Sequence, residues 1–340
     1  MRLFWASLGL LAAACAAVRA PQMTENDVLI IAHRGASGER PEHTLAAYKL
    51  AIAQGADFIE PDLVITKDGH LVARHENEIS GTTDVAQHPE FADRQTTKTI
   101  DGERISGWFA EDFTLAELRT LRARERLPEL RSTDFDGRFM VPTFAEIIEL
   151  AQREGVGIYT ETKHPSYFGA LGMPLEEPLV AALKAAGWTS ADAPAFIQSF
   201  EVANLRRLAD MTDVRLVQLI GDPRSGQPVD ESGVTYADML TPAGLTRIAE
   251  YAAGVGPDKA LVIRDGAATG LVEAAHGAGL AVHPWTFRRE NMFLPAEYQR
   301  ERDPRMPGNL AGEICAHLAL GVDGIFTDNP KEAVAARQSC

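Results

Sequence analysis

The stretch VLIIAHRGASGERPEHTLAAYKLAIAQGADFIEPD, residues 28–62, sets a helical pattern between two short apolar runs. The first run, Val28 to Ala32, stops at the polar trio His33-Arg34-Gly35. Thr44 then stands where a helix N-cap belongs, directly before Leu45, and the second run, Asp57 to Asp62, ends in two acids. Strand, helix and strand in this order make the βα unit of a parallel sheet.

The same rhythm continues outward from this unit. Further strands are predicted at Val156 to Glu161, Ala195 to Ser199, Val214 to Leu219, Gly254 to Pro257, Leu280 to Trp285 and Asp323 to Thr327, which with the first two makes eight. Helix starts are marked by a capping box from Thr143 to Glu146 and by Thr241 followed by Pro242. Eight βα units point to a (β/α)8 TIM barrel of the α/β class; an open doubly wound sheet has the same periodicity and stays open as an alternative.

One stretch breaks the rhythm. Between Leu63 and His75 two alternating runs meet at Lys67-Asp68-Gly69 with no room for a helix, which predicts a hairpin whose return arm brings His75 back to the level of Asp62. The polar segment that follows, about residues 76–139, has a helix start at Thr114-Leu115-Ala116-Glu117 and no run of barrel type, so it reads as a small inserted subdomain.

Composition limits the partners. With 340 residues, 45% of them hydrophobic, the chain can bury a core of barrel size. A formal charge of −15 and a pI near 5.1 set an overall field against nucleic acid and anionic membrane surfaces. A small phosphodiester needs only a few cationic groups at one place and is not excluded. Residues 1–20 have the layout of a secretory signal peptide, Arg2 followed by an apolar run and then small residues, so the folded unit is expected over residues 21–340. The run is shorter than the roughly 20 apolar residues of a membrane span. Leu11 to Cys15 loosely resembles a lipoprotein cleavage box, which keeps a lipid anchor through Cys15 as an alternative exit. Beyond the leader only Cys315 and Cys340 remain, too few for a disulfide framework; Cys315 reads first as a core residue in the helical pattern of Leu310, Ile314 and Leu318, and a bond to Cys340 is the alternative in an oxidising compartment, though nothing in the sequence argues for it.

Function in a parallel barrel gathers where strands end, and there the polar residues converge. Glu60 and Asp62 are two apart, so both side chains point to one face of a strand, inward at the mouth. Two inward carboxylates need a cation or a shared proton. With Glu161 as a third oxygen donor, one divalent ion is expected, Ca²⁺ ahead of Mg²⁺. Solvated strand-end acids paired with Arg34 and Lys163 would read the same way. His33 and His75, brought beside these carboxylates, make a candidate acid and base pair. His283 is left open, and the other histidines read as solvated or packing residues. Phe200 and Trp285 end strands and would wall a pocket against a small organic group, or belong to the core.

These residues resemble the glycerophosphodiester phosphodiesterase family, and in particular its periplasmic bacterial type. The likeness runs from HRGASGERPEHTLAAY through GADFIEPDLVITKDGHLV and ARHENEIS to GIYTETKHP, IQSFE, RLVQLI, YAAGVGPDK, LAVHPWT and GVDGIFTDNP, across nearly the whole mature chain. It implies a barrel enzyme that hydrolyses glycerophosphodiesters, such as glycerophosphocholine and glycerophosphoethanolamine, to glycerol 3-phosphate and an alcohol. His33 and His75 would be the catalytic acid and base, Arg34 and Lys163 would contact phosphate, Glu42 would lie close to the substrate, and Glu60, Asp62 and Glu161 would hold the metal. The chain departs from the family in Glu76, where Asp is usual, and in Pro61, where Leu or Gln is more common. Two readings remain beside this one: a related barrel phospholipase acting on lipid head groups, and a non-catalytic binder of glycerophosphodiesters. A glycosidase is disfavoured, because Glu60 and Asp62 lie on one side of any substrate. The sequence specifies no oligomeric state.

Overall fold

The computed structural model describes residues 28–230 and 233–340. The leader and Cys15 lie outside the described residues. Eight parallel strands form the barrel: β1 (Leu29–His33), β2 (Phe58–Glu60), β3 (Gly157–Thr162), β4 (Ala195–Ser199), β5 (Arg215–Ile220), β6 (Gly254–Pro257), β7 (Ala281–Val282) and β8 (Gly324–Thr327). Ladders run β7-β6-β5-β4-β3-β2-β1-β8. The remaining seam, β7 to β8, is joined by single bonds: Asp323 N donates to Val282 O at 3.0 Å, Phe326 N to Pro284 O at 3.1 Å and Phe287 N to Phe326 O at 2.8 Å. The seventh strand is shorter than its apolar pattern predicts because Pro284 has no N–H to give to a ladder, so pairing continues only as isolated bridges at Trp285 and Phe287.

Helices start where the sequence marks them. Thr44 accepts from Ala47 N to cap the helix Leu45–Ala53, and Thr143 with Glu146 forms a complete capping box before Phe144–Glu154. Their apolar faces cover the outside of the barrel in two large clusters, one around Leu63, Phe144 and Leu205, the other around Ile30, Val255 and Ile325. Inside, a separate cluster of Leu29, Ile31, Phe58, Tyr159, Phe196, Val217 and Phe326 forms a floor. Tyr159 stacks on Phe196 with centroids 4.6 Å apart and meets Phe326 edge-on at 4.9 Å. Aromatic pairs of this kind add about 0.5–1.5 kcal/mol each beyond area burial. Gly157 opens β3 because a Cβ there would stand 2.2 Å from the Phe58 ring.

After Glu60 the chain leaves the barrel. Asp62–Ile65 pairs antiparallel with Leu71–Ala73, Leu63 opposite Ala73, and Arg74 N donates to Asp62 O at 3.0 Å, so His75 returns beside Asp62. Residues 76–139 then make an excursion that meets the strand ends through Arg126 and Arg131, with its own hairpin, Thr96–Ile100 against Glu103–Gly107, and a capping box at Thr114 and Glu117. No helix among the described residues is long and apolar enough to cross a membrane.

Cys315 is not a core thiol: it is disulfide-bonded to Cys340, with Cα atoms 5.5 Å apart. Residues 310–318 and 330–339 are adjacent helices, and that separation lies inside the range a disulfide spans.

Candidate active site

Two residues beyond the aromatic floor, the same strands turn polar. Ile31 is followed on its face by His33, Phe58 by Glu60, Tyr159 by Glu161, Phe196 by Gln198 and Phe326 by Asp328. His33, Arg34, Glu60, His75, Glu161, Gln198, Phe200, Trp285 and Arg288 line a cleft of about 90 Å³, with Phe326 among its lining residues. A larger cleft of about 740 Å³ lies between the loops after β5, β6 and β7, where Arg224 pairs with Asp222 and Lys259 with Glu313. His33, His75, Glu60 and Glu161 converge on the smaller one, with Asp62 grouped beside the two glutamates.

Backbone geometry aims the first strand end. Arg34 adopts a left-handed φ of 60°, and its N–H donates to Glu60 Oε2 at 2.7 Å. Gly35 follows at φ 86°, where a Cβ would collide with Ala47 at 2.7 Å. This tight turn lets the helix Leu45–Ala53 pack against the strand end and leaves His33 and Arg34 at the mouth.

The carboxylates of Glu60, Asp62 and Glu161 are buried, and each offers an oxygen within 4.8 Å of the others. Burial, then Asp62 and Glu161, push Glu60 well above the usual carboxylate range. Glu161 is pushed up to about 8, by burial first and by Asp62, against the pull of Lys163. Asp62 stays well below the usual range: burial opposes ionisation, but Lys163 and the hydrogen bond from His43 outweigh it. Asp62 Oδ1 is buried without a hydrogen-bond partner. Three hard oxygen donors, mutual repulsion and an orphaned oxygen fit a divalent cation, which these residues could hold.

Both imidazoles are held by carboxylates. His33 Nδ1 bonds Asp328 Oδ1 at 2.6 Å, and His75 Nδ1 bonds Glu76. Burial first, then Arg34, lowers His33 to about 4, with Asp328 opposing. Burial, Arg34 and Lys163 lower His75 well below its ordinary value, with Glu76 opposing. Both rings are therefore neutral near pH 7 and available as bases. Lys163 Nζ lies 2.8 Å from Glu161 Oε1 and 3.3 Å from His75 Nε2. Phe200 and Trp285 meet edge-on at 5.8 Å and wall one side.

Glu42 stands behind Arg34, not in the cleft wall: its Oε2 accepts from Arg34 Nη1 at 3.0 Å. His283 belongs to the floor, bonded to Tyr159 Oη at 2.8 Å and 2% exposed. His43, read from sequence as a solvated or packing residue, is fully buried with Nε2 2.9 Å from Asp62 Oδ2 and Nδ1 2.8 Å from Tyr48 Oη. Its position inside the PEHT segment, between Glu42 and the Thr44 cap, was the available signal. Gln198, which donates to Glu60 Oε1 at 3.1 Å, Arg288 and Asp328 were also missed. Gln198 and Asp328 follow from the strand alternation; Arg288 has no local signature.

Known proteins resemble this chain in sequence and in fold. A glycerophosphodiester phosphodiesterase of Arabidopsis thaliana, GDPD6, is 39% identical over 318 residues, covering 88% of this chain and 82% of the relative. One from Haemophilus influenzae is 30% identical over 345 residues, 91% of this chain and 90% of the relative. The crystal structure of an Agrobacterium tumefaciens glycerophosphodiester phosphodiesterase shares the fold, with a TM-score of 0.60 at 21% identity over 91% of this chain and 99% of that one. So does an Oleispira antarctica phosphodiesterase in complex with sn-glycerol-3-phosphate, with a TM-score of 0.61 at 21% identity over 92% and 97%. The sequence model of the glycerophosphoryl diester phosphodiesterase family matches residues 33–332, and the chain belongs to that family as a phosphoric diester hydrolase.

Proposed function

We propose that the chain hydrolyses small glycerophosphodiesters, glycerophosphocholine and glycerophosphoethanolamine among them, to glycerol 3-phosphate and the free alcohol. The observation that carries the reading is the convergence of two carboxylate-anchored imidazoles on one cleft beside the carboxylate trio. The product bound to the Oleispira antarctica phosphodiesterase, sn-glycerol-3-phosphate, supports the substrate class.

In the proposed mechanism Arg34 and Lys163 bind the phosphate, and Glu42 keeps Arg34 in place. One imidazole takes the proton of the glycerol 2-hydroxyl as its oxygen attacks phosphorus. The other donates a proton to the departing alcohol as its bond to phosphorus breaks, leaving a cyclic phosphate. Water then opens the ring with the two histidines in exchanged roles. The internal nucleophile gains from proximity. Charge on the bound phosphodiester opposes the burial that keeps the histidines neutral, which helps one of them to carry the donated proton. Glu60, Asp62 and Glu161 would hold the cation, Ca²⁺ in our reading; when bound it supplies positive charge for the phosphoryl oxygens. Phe200 and Trp285 exclude water from one wall.

For location we propose secretion to the periplasm; the Cys315–Cys340 disulfide supports an oxidising compartment. The test is release of glycerol 3-phosphate from glycerophosphocholine, with and without chelator, followed by Ca²⁺ or Mg²⁺ add-back. Release that chelator abolishes and Ca²⁺ restores is the expected result; activity on intact bilayer lipid alone would overturn the substrate class.

A further inference from the structure

Each imidazole rests on a carboxylate, and each of these carboxylates is held by an arginine of the excursion. Asp328, behind His33, receives Arg131 Nη2 on Oδ2 at 2.6 Å, together with Arg288 Nε at 2.8 Å. Glu76, behind His75, receives Arg126 Nη1 on Oε2 at 2.7 Å. The two arginines are five apart, on a turn in which Leu130 N and Arg131 N both donate to Leu127 O at 2.9 Å. Each guanidinium is fixed again from its other side. Arg126 Nε and Nη2 grip Glu42 at 2.8 and 2.6 Å, and Arg131 Nε reaches Glu290 at 2.7 Å while its Nη1 donates to Ser37 O at 3.1 Å. The Arg131 side chain is only 7% exposed.

We infer that Arg126 and Arg131 are positioning residues, and that residues 126–131 form one brace setting both histidines at once. This rests on the two-histidine reading above. A carboxylate bonded to Nδ1 fixes the tautomer and turns Nε2 toward the cleft, but only while the carboxylate itself cannot swing. A guanidinium fork on its second oxygen supplies that restraint. The forks also neutralise Glu76, Glu42 and Asp328, which would otherwise add to the trio and repel an anionic substrate. The excursion thus becomes part of the machinery that its two arginines reach.

The test is steady-state kinetics on glycerophosphocholine, in the presence of the restoring cation, for Arg131→Ala and Arg126→Ala. Arg138→Ala, an exposed position on the same excursion, serves as control and keeps native rates. Arg131→Ala should lower kcat about 10–100-fold with KM nearly unchanged, and added guanidinium should recover part of the loss. Arg126→Ala should lower kcat similarly and also raise KM, because the Glu42 it releases holds Arg34. Adding Arg131→Ala to Asp328→Asn should cost little more than Asp328→Asn alone; losses that multiply indicate a merely structural role and overturn the brace, as does native kcat in both arginine variants. If Arg131→Ala does not fold, Arg131→Met, which keeps the apolar bulk and has no donor, replaces it, and native kcat there overturns the brace equally. His33→Ala and His75→Ala run in parallel separate the two readings. Near-native turnover in them sinks the two-histidine reading, and with it the brace; loss in them beside native arginine variants sinks the brace alone.

Discussion

The barrel interior has two layers, built by the same strands and separated by one step of the β alternation, that behave as opposites. Ile31, Phe58, Tyr159, Phe196 and Phe326 pack a dry aromatic floor; His33, Glu60, Glu161, Gln198 and Asp328, each two residues on, form a charged layer directly above it. The floor excludes water from below, and this burial is the largest cause of the upward shift of Glu60 and the downward shift of His33. The difference teaches that the chemistry of the upper layer depends on the apolarity of the lower one. Carboxylates over a wet floor would be ordinary surface acids.

The sharpest way to separate the layers is to remove an imidazole. His33→Ala or His75→Ala should reduce kcat by about 10²–10⁴-fold while leaving the melting temperature nearly unchanged, read by turnover and calorimetry together. Next in size, Phe58→Ala in the floor should cost about 3–5 kcal/mol of stability, measured by denaturant unfolding. A value under 1 kcal/mol would show that the floor is loosely packed. Gly157→Ala drives a methyl group into the Phe58 ring and should destabilise by about 1–3 kcal/mol.

A cation should join the layers thermodynamically. Ca²⁺ at about 100 times its Kd should stabilise the protein by about 2.7 kcal/mol, and Glu60→Gln should remove most of that gain. A melting temperature that does not respond to Ca²⁺ would reject the trio as a metal site. An effect confined to one pH window belongs to Glu125, beside the brace, which burial raises to about 7. Unfolded, it releases its proton near 4.5, so between pH 4.5 and 7 the folded chain holds one proton more and stability falls as pH rises. Glu125→Gln should abolish that part of the slope, leaving the variant more stable at pH 8 by at most roughly 3 kcal/mol and unchanged at pH 4.

What the sequence revealed was what neighbouring residues encode. Eight apolar runs, the turn at Asp68-Gly69 and the caps at Thr44, Thr143 and Thr241 are local signals, and the elements they mark are present. His33, Arg34, Glu60, Asp62, Glu161 and Lys163 were legible because they sit where strands stop, and His75 because the hairpin length fixes its level. The partners were hidden for the opposite reason. Arg126 meets Glu42 across 84 residues and Arg131 meets Asp328 across 197. Neither pairing leaves a periodicity or spacing to read, and His43 looked like one more residue of a turn. The disulfide was likewise a matter of which helices become neighbours.

The bond between His33 and Asp328 spans 295 residues, and the strands that carry them, β1 and β8, are the pair that unites the two ends of the barrel. During synthesis, therefore, His33 emerges early and waits for its carboxylate until almost the last residues. Contacts of such long sequence separation form late and slowly. A chain halted before Gly324 has both imidazoles and all three carboxylates of the trio but neither the closing strand nor the group that orients the first ring. Onset of turnover during refolding should therefore track barrel closure, not helix formation, and serve as a clock for the final event of folding.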